Sequence, residues 1–415
     1  MKTTDKNIPS NPFEDIAEAL LADVAISVQL PPGKHKMAIE RSEALQRHME
    51  REGSPLQGLI ALFYAQGSMA TGTTINARLK NDEFDIDKVA EILLPPGTPP
   101  AYVLNLLYKS IRGEPGSKYY DMTERRTRCI TIHYADGMHV DITPMILTTE
   151  VADPRTSWLF HAHEDEPLEK HETLLGNPWG FAEYFNENMQ LDPDFAKAFG
   201  QRSMQAEFLL DADSEPVPDP EPAYLKSLSV VALQLLKRHR NVVYDNRTGR
   251  MPSTVMISCM VVDVTGRAKS LSEELLVQAR YILRGLKDAQ ARNQLIDVSN
   301  PRCHEDKFTD RWPGNLQEQG QFIGDLNNFV EKIKLLRSGD LSLDEMGKLL
   351  ESLFGESPAK AAVNRYIDRL AKHGEQNRIA HNKNGRISLI SAGASIASTP
   401  AIAKPNTFYG GAIKE

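Results

Sequence analysis

Two alternating, β-rich runs, RCITIHY at 128–134 and MHVDITPMIL at 138–147, are joined by Ala135-Asp136-Gly137. An Asp-Gly step between such runs predicts an antiparallel hairpin, because glycine takes the positive φ of a tight turn without a Cβ penalty. Asp141 then lies inside an apolar strand. Upstream, LIALFYAQGS at 59–68 reads as a strand running into a turn at Gly67. FDIDKVAEILL at 84–94 reads as another strand, whose alternation places Asp85 and Asp87 on one face and Ile86 on the other. The intervening MATGTTINARLKN is short, polar and glycine-containing, PPGTPP at 95–100 is a firm break, and HKMAIERSEALQRHMERE at 35–52 has the spacing of an exposed amphipathic helix.

The second half differs in class. Residues 212–223, ADSEPVPDPEPA, are acidic and proline-rich, as in a surface linker. Beyond them AYLKSLSVVALQLLKRHR, SEELLVQARYILRGLKDA, LNNFVEKIKLLRS, LSLDEMGKLLESLF and AKAAVNRYIDRLAKH carry helical patterning. A chain of 415 residues exceeds what one core usually supports. The expected organisation is an N-terminal extension over 1–34, an α+β core over 35–211, a linker over 212–223, a helical lobe over 224–385 and a flexible tail over 386–415.

Composition excludes several classes. Hydrophobic residues are 41% and charged residues 25%, near the average for folded soluble domains. No apolar run approaches the roughly 18 residues that would span a bilayer, and the N-terminus lacks the apolar stretch of a secretion signal, so a cytoplasmic protein with no membrane partner is expected. Cys129, Cys259 and Cys303 are too few and too dispersed for a disulfide framework or zinc cluster. A net charge of -8 disfavours an obligatory long nucleic acid partner but leaves phosphorylated small molecules open.

Three acids on strand faces are candidate ligands for hard divalent cations, since Mg2+ takes oxygen donors and leaves part of its shell to water and substrate phosphate. Asp85, Asp87 and Asp141 supply them. Gln66-Gly67-Ser68, placed between a strand and the paired acids, can offer backbone amides and a hydroxyl to phosphate oxygens. Two metals beside a phosphate cradle are what nucleotidyl transfer needs.

The order QGS, then DID, then VD resembles the polymerase-β-like nucleotidyltransferases, and more narrowly the bacterial cGAS/DncV-like nucleotidyltransferases. Further likeness lies in LKSLSVVALQLLKRHR, MPSTVMISCM and IDVSNPRCHEDKFTDRW, and spans roughly residues 35–380. The resemblance implies an α+β nucleotidyltransferase lobe and a helical lobe with the active site in the cleft between them. It implies synthesis of cyclic oligonucleotides from nucleoside triphosphates, ATP among them, as second messengers in anti-phage defence, with regulatory or effector proteins of a defence operon as partners. Two Mg2+ ions, or Mn2+, would be held by Asp85 and Asp87, with Asp141 on the ion that activates the attacking ribose hydroxyl. Gly67 and Ser68 would hold the donor's terminal phosphates, and Lys237 and Ser253 would reach the triphosphate from the helical lobe. Alternatives are a linear 2′–5′ oligoadenylate synthase, a transferase with another acceptor, or a non-catalytic nucleotide-binding regulator.

Other clusters have plainer readings. His161, His163, Glu164, Asp165 and Glu166, with His171, read as a solvated loop rather than a metal site. The arginines of Lys237-Arg238-His239-Arg240 fit the charged end of a helix. Trp158, Trp179 and Trp312 read as core or interface anchors, and His139 as a packed neighbour of Asp141. The FYGG near the C-terminus is followed by Ala412-Ile413-Lys414-Glu415, unlike a glycine-ended conjugation tail.

Overall fold

The protein is described from a computed structural model, which places residues 11–76, 84–149, 153–208, 225–375, 379–381 and 387–389. Its first half is built on a seven-stranded sheet. The strands are β1 (Ile60–Ala65), β2 (Phe84–Ile92), β3 (Thr123–Arg125), β4 (Ile130–His133), β5 (Met138–Leu147), β6 (Ser157–His161) and β7 (Glu172–Gly176), in the order β1-β2-β5-β4-β3, with β6 on the far half of β5 and β7 beside it. Only β2 and β5 run parallel. The hairpin expected at Ala135-Asp136-Gly137 joins β4 to β5, with Gly137 at φ 85° and Asp136 gripped by Arg41 at 2.8 and 2.9 Å.

Alternation divides the sheet into two faces. Phe84, Ile86, Ala90, Ile92, Val140 and Ile142 point backward into a core closed by the helices of residues 32–49 and 100–112. The latter begins as the PPGTPP break ends, with Pro100 in its first turn, where no amide hydrogen is missed. The opposite face, carrying Asp85, Asp87, Asp141 and Thr143, is left for the cleft.

In chain order the helices are α1 (Ile16–Val28), α2 (Pro32–Met49), α3 (Gly67–Ala70), α4 (Pro100–Arg112), α5 (Pro178–Asn188), α6 (Pro193–Phe208), α7 (Leu228–Tyr244), α8 (Thr254–Val262), α9 (Leu271–Ala291), α10 (Leu316–Arg337), α11 (Leu343–Phe354) and α12 (Glu356–Glu375). A small hairpin, β8 (Ser299–Asn300) with β9 (Cys303–Lys307), interrupts the helical half, and β10 (Ile379–His381) pairs with β11 (Ile387–Leu389) after it. Helix α7 is the axis of this lobe: every residue from Leu228 to Arg240 is buried.

Three boundaries differ from expectation. Residues 1–34 are not merely an extension, because α1 sits inside the helical core with Leu20, Leu21, Val24 and Val28 at no more than 1% exposure. Its sequence is apolar nearly all round, which is the mark of a buried helix and gives no amphipathic signal. Helices α5 and α6, placed by sequence in the 35–211 core, instead deliver Phe181, Phe185, Phe195 and Phe199 to the helical core. Of the 386–415 tail, residues 387–389 form a strand; its remainder and the 212–223 linker lie outside the described residues. Among the described residues no helix is long and apolar enough to cross a membrane.

Candidate active site

The parallel pairing of β2 with β5 sets Asp85 opposite His139 and Asp87 opposite Asp141. Residues opposite one another in a ladder share a face, so the three carboxylates stand together on the cleft side. Thr131, across β4, donates to Asp141 Oδ1 at 2.6 Å. His139 Nδ1 lies 3.5 Å from Asp85 Oδ1 and its ring packs edge-on against His133, in keeping with a packed neighbour. Burial, then the charges of Asp141 and Asp85, push the Asp87 carboxyl up to about 7 against the pull of Lys237. Asp141 is also raised, by burial, with the Thr131 bond opposing. Crowded acids of this kind favour a cation between them.

Among the described residues no three His, Cys, Asp or Glu side chains converge to cage an ion unaided. The acids line a face, and an ion here would draw further oxygens from phosphate and water. That donor set, all carboxylate oxygen, suits Mg2+ or Mn2+.

Gly67 must be glycine. Its φ is +57°, and a Cβ there would stand 2.7 Å from Asp87 Oδ2. Helix α3 therefore begins in direct contact with the central acid. The Gln66 amide binds the Asp87 carbonyl at 2.9 Å, and its side chain donates to Thr143 at 3.1 Å, so Gln66 ties the turn to β2 and β5. The Ser68 hydroxyl accepts from Thr74 at 3.3 Å.

Helix α7 grips this turn from the other lobe. Lys237, 2% exposed, donates to Thr73 Oγ1 at 2.6 Å, Thr73 meets Thr71 at 2.8 Å, and Thr71 donates to the Gly67 carbonyl at 3.1 Å. Gln234 adds a bond to the Thr74 carbonyl at 2.8 Å. Burial lowers the Lys237 ammonium to about 7, with Arg240 adding to the fall and Asp87 opposing it. Lys237 thus meets the turn beside Asp87 through Thr73 and does not itself line the cleft over the acid face. Ser253 lines the cleft, but its hydroxyl caps α8 through the Met256 amide and donates to the Phe308 carbonyl at 2.9 Å.

The expectation for the arginines of the 237–240 run is overturned. They lie within α7, not at its end: Arg238 donates to the Phe354 carbonyl at 2.9 Å and Arg240 to that of Pro252 at 2.7 Å, while His239 pairs with the Leu353 carbonyl at 3.0 Å. They satisfy carbonyls of neighbouring segments.

A cleft of about 690 Å3 lies over the acid face, with Gly67, Asp87 and Thr143 on one side and Ser253, Phe308 and Trp312 on the other. Sequence reasoning missed Arg128, Arg250 and Arg311, which also line it. They are scattered through loops and strand ends, and no spacing announces them. Trp312 packs edge-on against Phe322 and Trp179 against Tyr64, as anchors. His161 ends β6 and accepts from Arg128 at 3.0 Å, while His163 to Glu166 form an exposed turn.

Residues 18–164 match the Second Messenger Oligonucleotide or Dinucleotide Synthetase domain. The chain is 36% identical to the cyclic dinucleotide synthase CdnG of Bradyrhizobium diazoefficiens over 97% of its own length and 96% of that protein. It belongs to the CD-NTase family. The structure of that CdnG in complex with GTP superposes with a TM-score of 0.74 at 35% identity, covering 85% of this chain and 99% of the other. A c-di-GMP synthase of Roseivirga ehrenbergii is 23% identical over 95% of this chain and 97% of its own. The CdnC:HORMA-deltaN complex of E. coli MS115-1 has the same fold at a TM-score of 0.57 and 15% identity, covering 83% of this chain and 98% of that one. The α+β lobe and helical lobe are those of a CD-NTase, a nucleotidyltransferase for cyclic oligonucleotide synthesis.

Proposed function

We propose that this CD-NTase joins two nucleoside triphosphates into a cyclic dinucleotide, with GTP as at least one substrate and ATP as the alternative second base, for anti-phage signalling in the cytoplasm. The observation that carries this is the register of Asp87 opposite Asp141 on a face met by Lys237 from the opposite lobe. Likeness to CdnG along 97% of the chain supports the cyclic product, and that relative's GTP complex supports the base.

Asp85, Asp87 and Asp141 would hold two Mg2+ ions, which when bound acidify the attacking hydroxyl and offset charge on the entering and leaving oxygens. Asp141, oriented by Thr131, is the acid assigned here to take the acceptor hydroxyl's proton. Gly67 lets the α3 backbone approach the acids, and its turn with Ser68 receives the donor's terminal phosphates. Lys237 fixes that turn through Thr73 and supplies positive charge behind it. Each bond forms as the acceptor oxygen displaces pyrophosphate from the α-phosphorus, and the second such step closes the ring.

The test is incubation of the purified protein with all four triphosphates and Mg2+, followed by mass spectrometry after phosphatase treatment. A phosphatase-resistant dinucleotide that disappears in Asp85→Asn and Asp87→Asn is expected. Phosphatase-sensitive oligomers would favour a linear synthase, and triphosphate binding without turnover a regulator.

A further inference from the structure

Two rows of side chains cross the acid face. In one, Thr131, Asp141 and Asp87 lie opposite one another on β4, β5 and β2; in the other, two residues along the same strands, stand His133, His139 and Asp85. Side chains two apart on a strand share its face, so both rows stand on the cleft side of the sheet. The first row is secured, Asp141 by the Thr131 hydroxyl and Asp87 by its close contact with Gly67. Asp85 is the loosest of the three acids. Strand β1 ends at Ala65, opposite Lys88, so Asp85 has a strand neighbour on one side only, and its side chain is 45% exposed. Among the described residues the one basic nitrogen within 4 Å of its carboxylate is His139 Nδ1, at 3.5 Å, the outer edge of hydrogen-bond reach.

That imidazole is itself held. Its ring meets His133 edge-on, with centroids 4.6 Å apart, and His133 Nε2 lies 2.9 Å from Glu124 Oε2, an oxygen that Arg126 also approaches at 2.8 Å. An ionised carboxylate only accepts, so the nitrogen facing it carries the hydrogen: Nε2 on His133 and Nδ1 on His139. A donor locked by its own neighbours selects one orientation of the carboxylate it faces. We propose that His139 is a positioning residue, whose Nδ1–H aims the Asp85 carboxylate for a divalent cation and whose ring is fixed by His133 and Glu124. The cation affinity of the site then depends on a row of side chains that touches neither ion nor nucleotide. This rests on Asp85 being a metal ligand, as proposed above.

Electron paramagnetic resonance of free Mn2+ reads ion binding without turnover, in the presence of a guanosine triphosphate analogue carrying a methylene bridge between the α- and β-phosphates. Variants are compared at equal folded fraction, read from melting curves in chelator. Asp85→Asn should weaken Mn2+ binding. His139→Phe keeps the edge contact with His133 but has no N–H, and should weaken binding by about 10- to 100-fold, the usual effect of removing a partner of a metal ligand. His139→Asn, whose side-chain amide can stand where Nδ1 stood, should recover most of the affinity. The Mg2+ concentration for half-maximal synthesis should shift in the same order, with a smaller fall in the rate at saturating Mg2+. Mn2+ binding unchanged in His139→Phe, or weakened equally in His139→Phe and His139→Asn, would overturn the positioning role while leaving Asp85 a ligand. Binding unchanged in Asp85→Asn would instead overturn the metal site on which the proposed function stands.

Discussion

At the scale of single residues, the acid site is under electrostatic tension, which gives a pH signature. Asp87 is held up to about 7, above the value of roughly 4 for an unfolded aspartate. The folded state therefore binds a proton that the unfolded state has released. The stability linked to Asp87 is complete below about pH 4 and is lost as pH rises through about 7. In a chelator, the wild-type chain should thus fall progressively behind Asp87→Asn in thermal midpoint between about pH 5 and pH 8. Saturating Mg2+ should narrow the gap, because a cation that binds only the folded acids stabilises by mass action. Scanning fluorimetry of both proteins across that range checks this. A gap that stays constant with pH would mean that Asp87 carries no such strain.

At the scale of elements, the contact between α3 and β2 decides whether Asp87 is placed correctly. Gly67→Ala forces a left-handed φ on alanine, at about 1–2 kcal/mol, and drives its Cβ into Asp87 Oδ2. Gly72 also has positive φ, +64°, but a Cβ there meets nothing within 4 Å. Gly67→Ala should lose at least as much stability as Gly72→Ala, and only Gly67→Ala should lower turnover, on the order of 10²-fold for a displaced reactive group. Comparable turnover in the two would remove the Asp87 contact from the account. These elements were legible because period-2 alternation and an Asp-Gly turn are local signals: the run read as 138–147 is β5 to the residue. Asp85, Asp87, Asp141, Gly67 and Lys237 were recoverable because four lie on strands or turns with clear patterning and the resemblance pointed to the fifth. Ser253 was found in the cleft, but its capping bond to Met256 depends on where α8 starts. The burial of Arg238 and Arg240 depends on α7 being the lobe's axis, which no local window reveals.

At the scale of the whole molecule, the N-terminal helix holds together a lobe to which its sequence position gives no hint that it belongs. Asp23 is fully buried in α1 and accepts from Arg202 of α6 at 2.9 and 2.8 Å and from Arg369 of α12, while Arg365 donates to its carbonyl at 3.1 Å. Five residues earlier, Glu18 accepts from the Leu271 and Ser272 amides at the start of α9, where exposed N–H groups and the helix dipole favour a carboxylate. One helix thus joins α6, α9 and α12, and it packs on α7, whose Lys237 reaches across to the turn beside Asp87. Asp23→Ala would leave buried guanidinium groups without their carboxylate, a loss of about 3–5 kcal/mol. Deleting residues 1–28 would remove that cluster together with several side chains worth roughly 1.5–3 kcal/mol each by burial. Urea unfolding should show the first loss as a lowered midpoint, and the truncated chain should lack a cooperative transition for the helical lobe. Neither change touches the cleft, yet both should weaken GTP binding, because Lys237 is only as well placed as the helix that carries it. A truncated protein with a wild-type midpoint and wild-type GTP affinity would return α1 to the status of an extension.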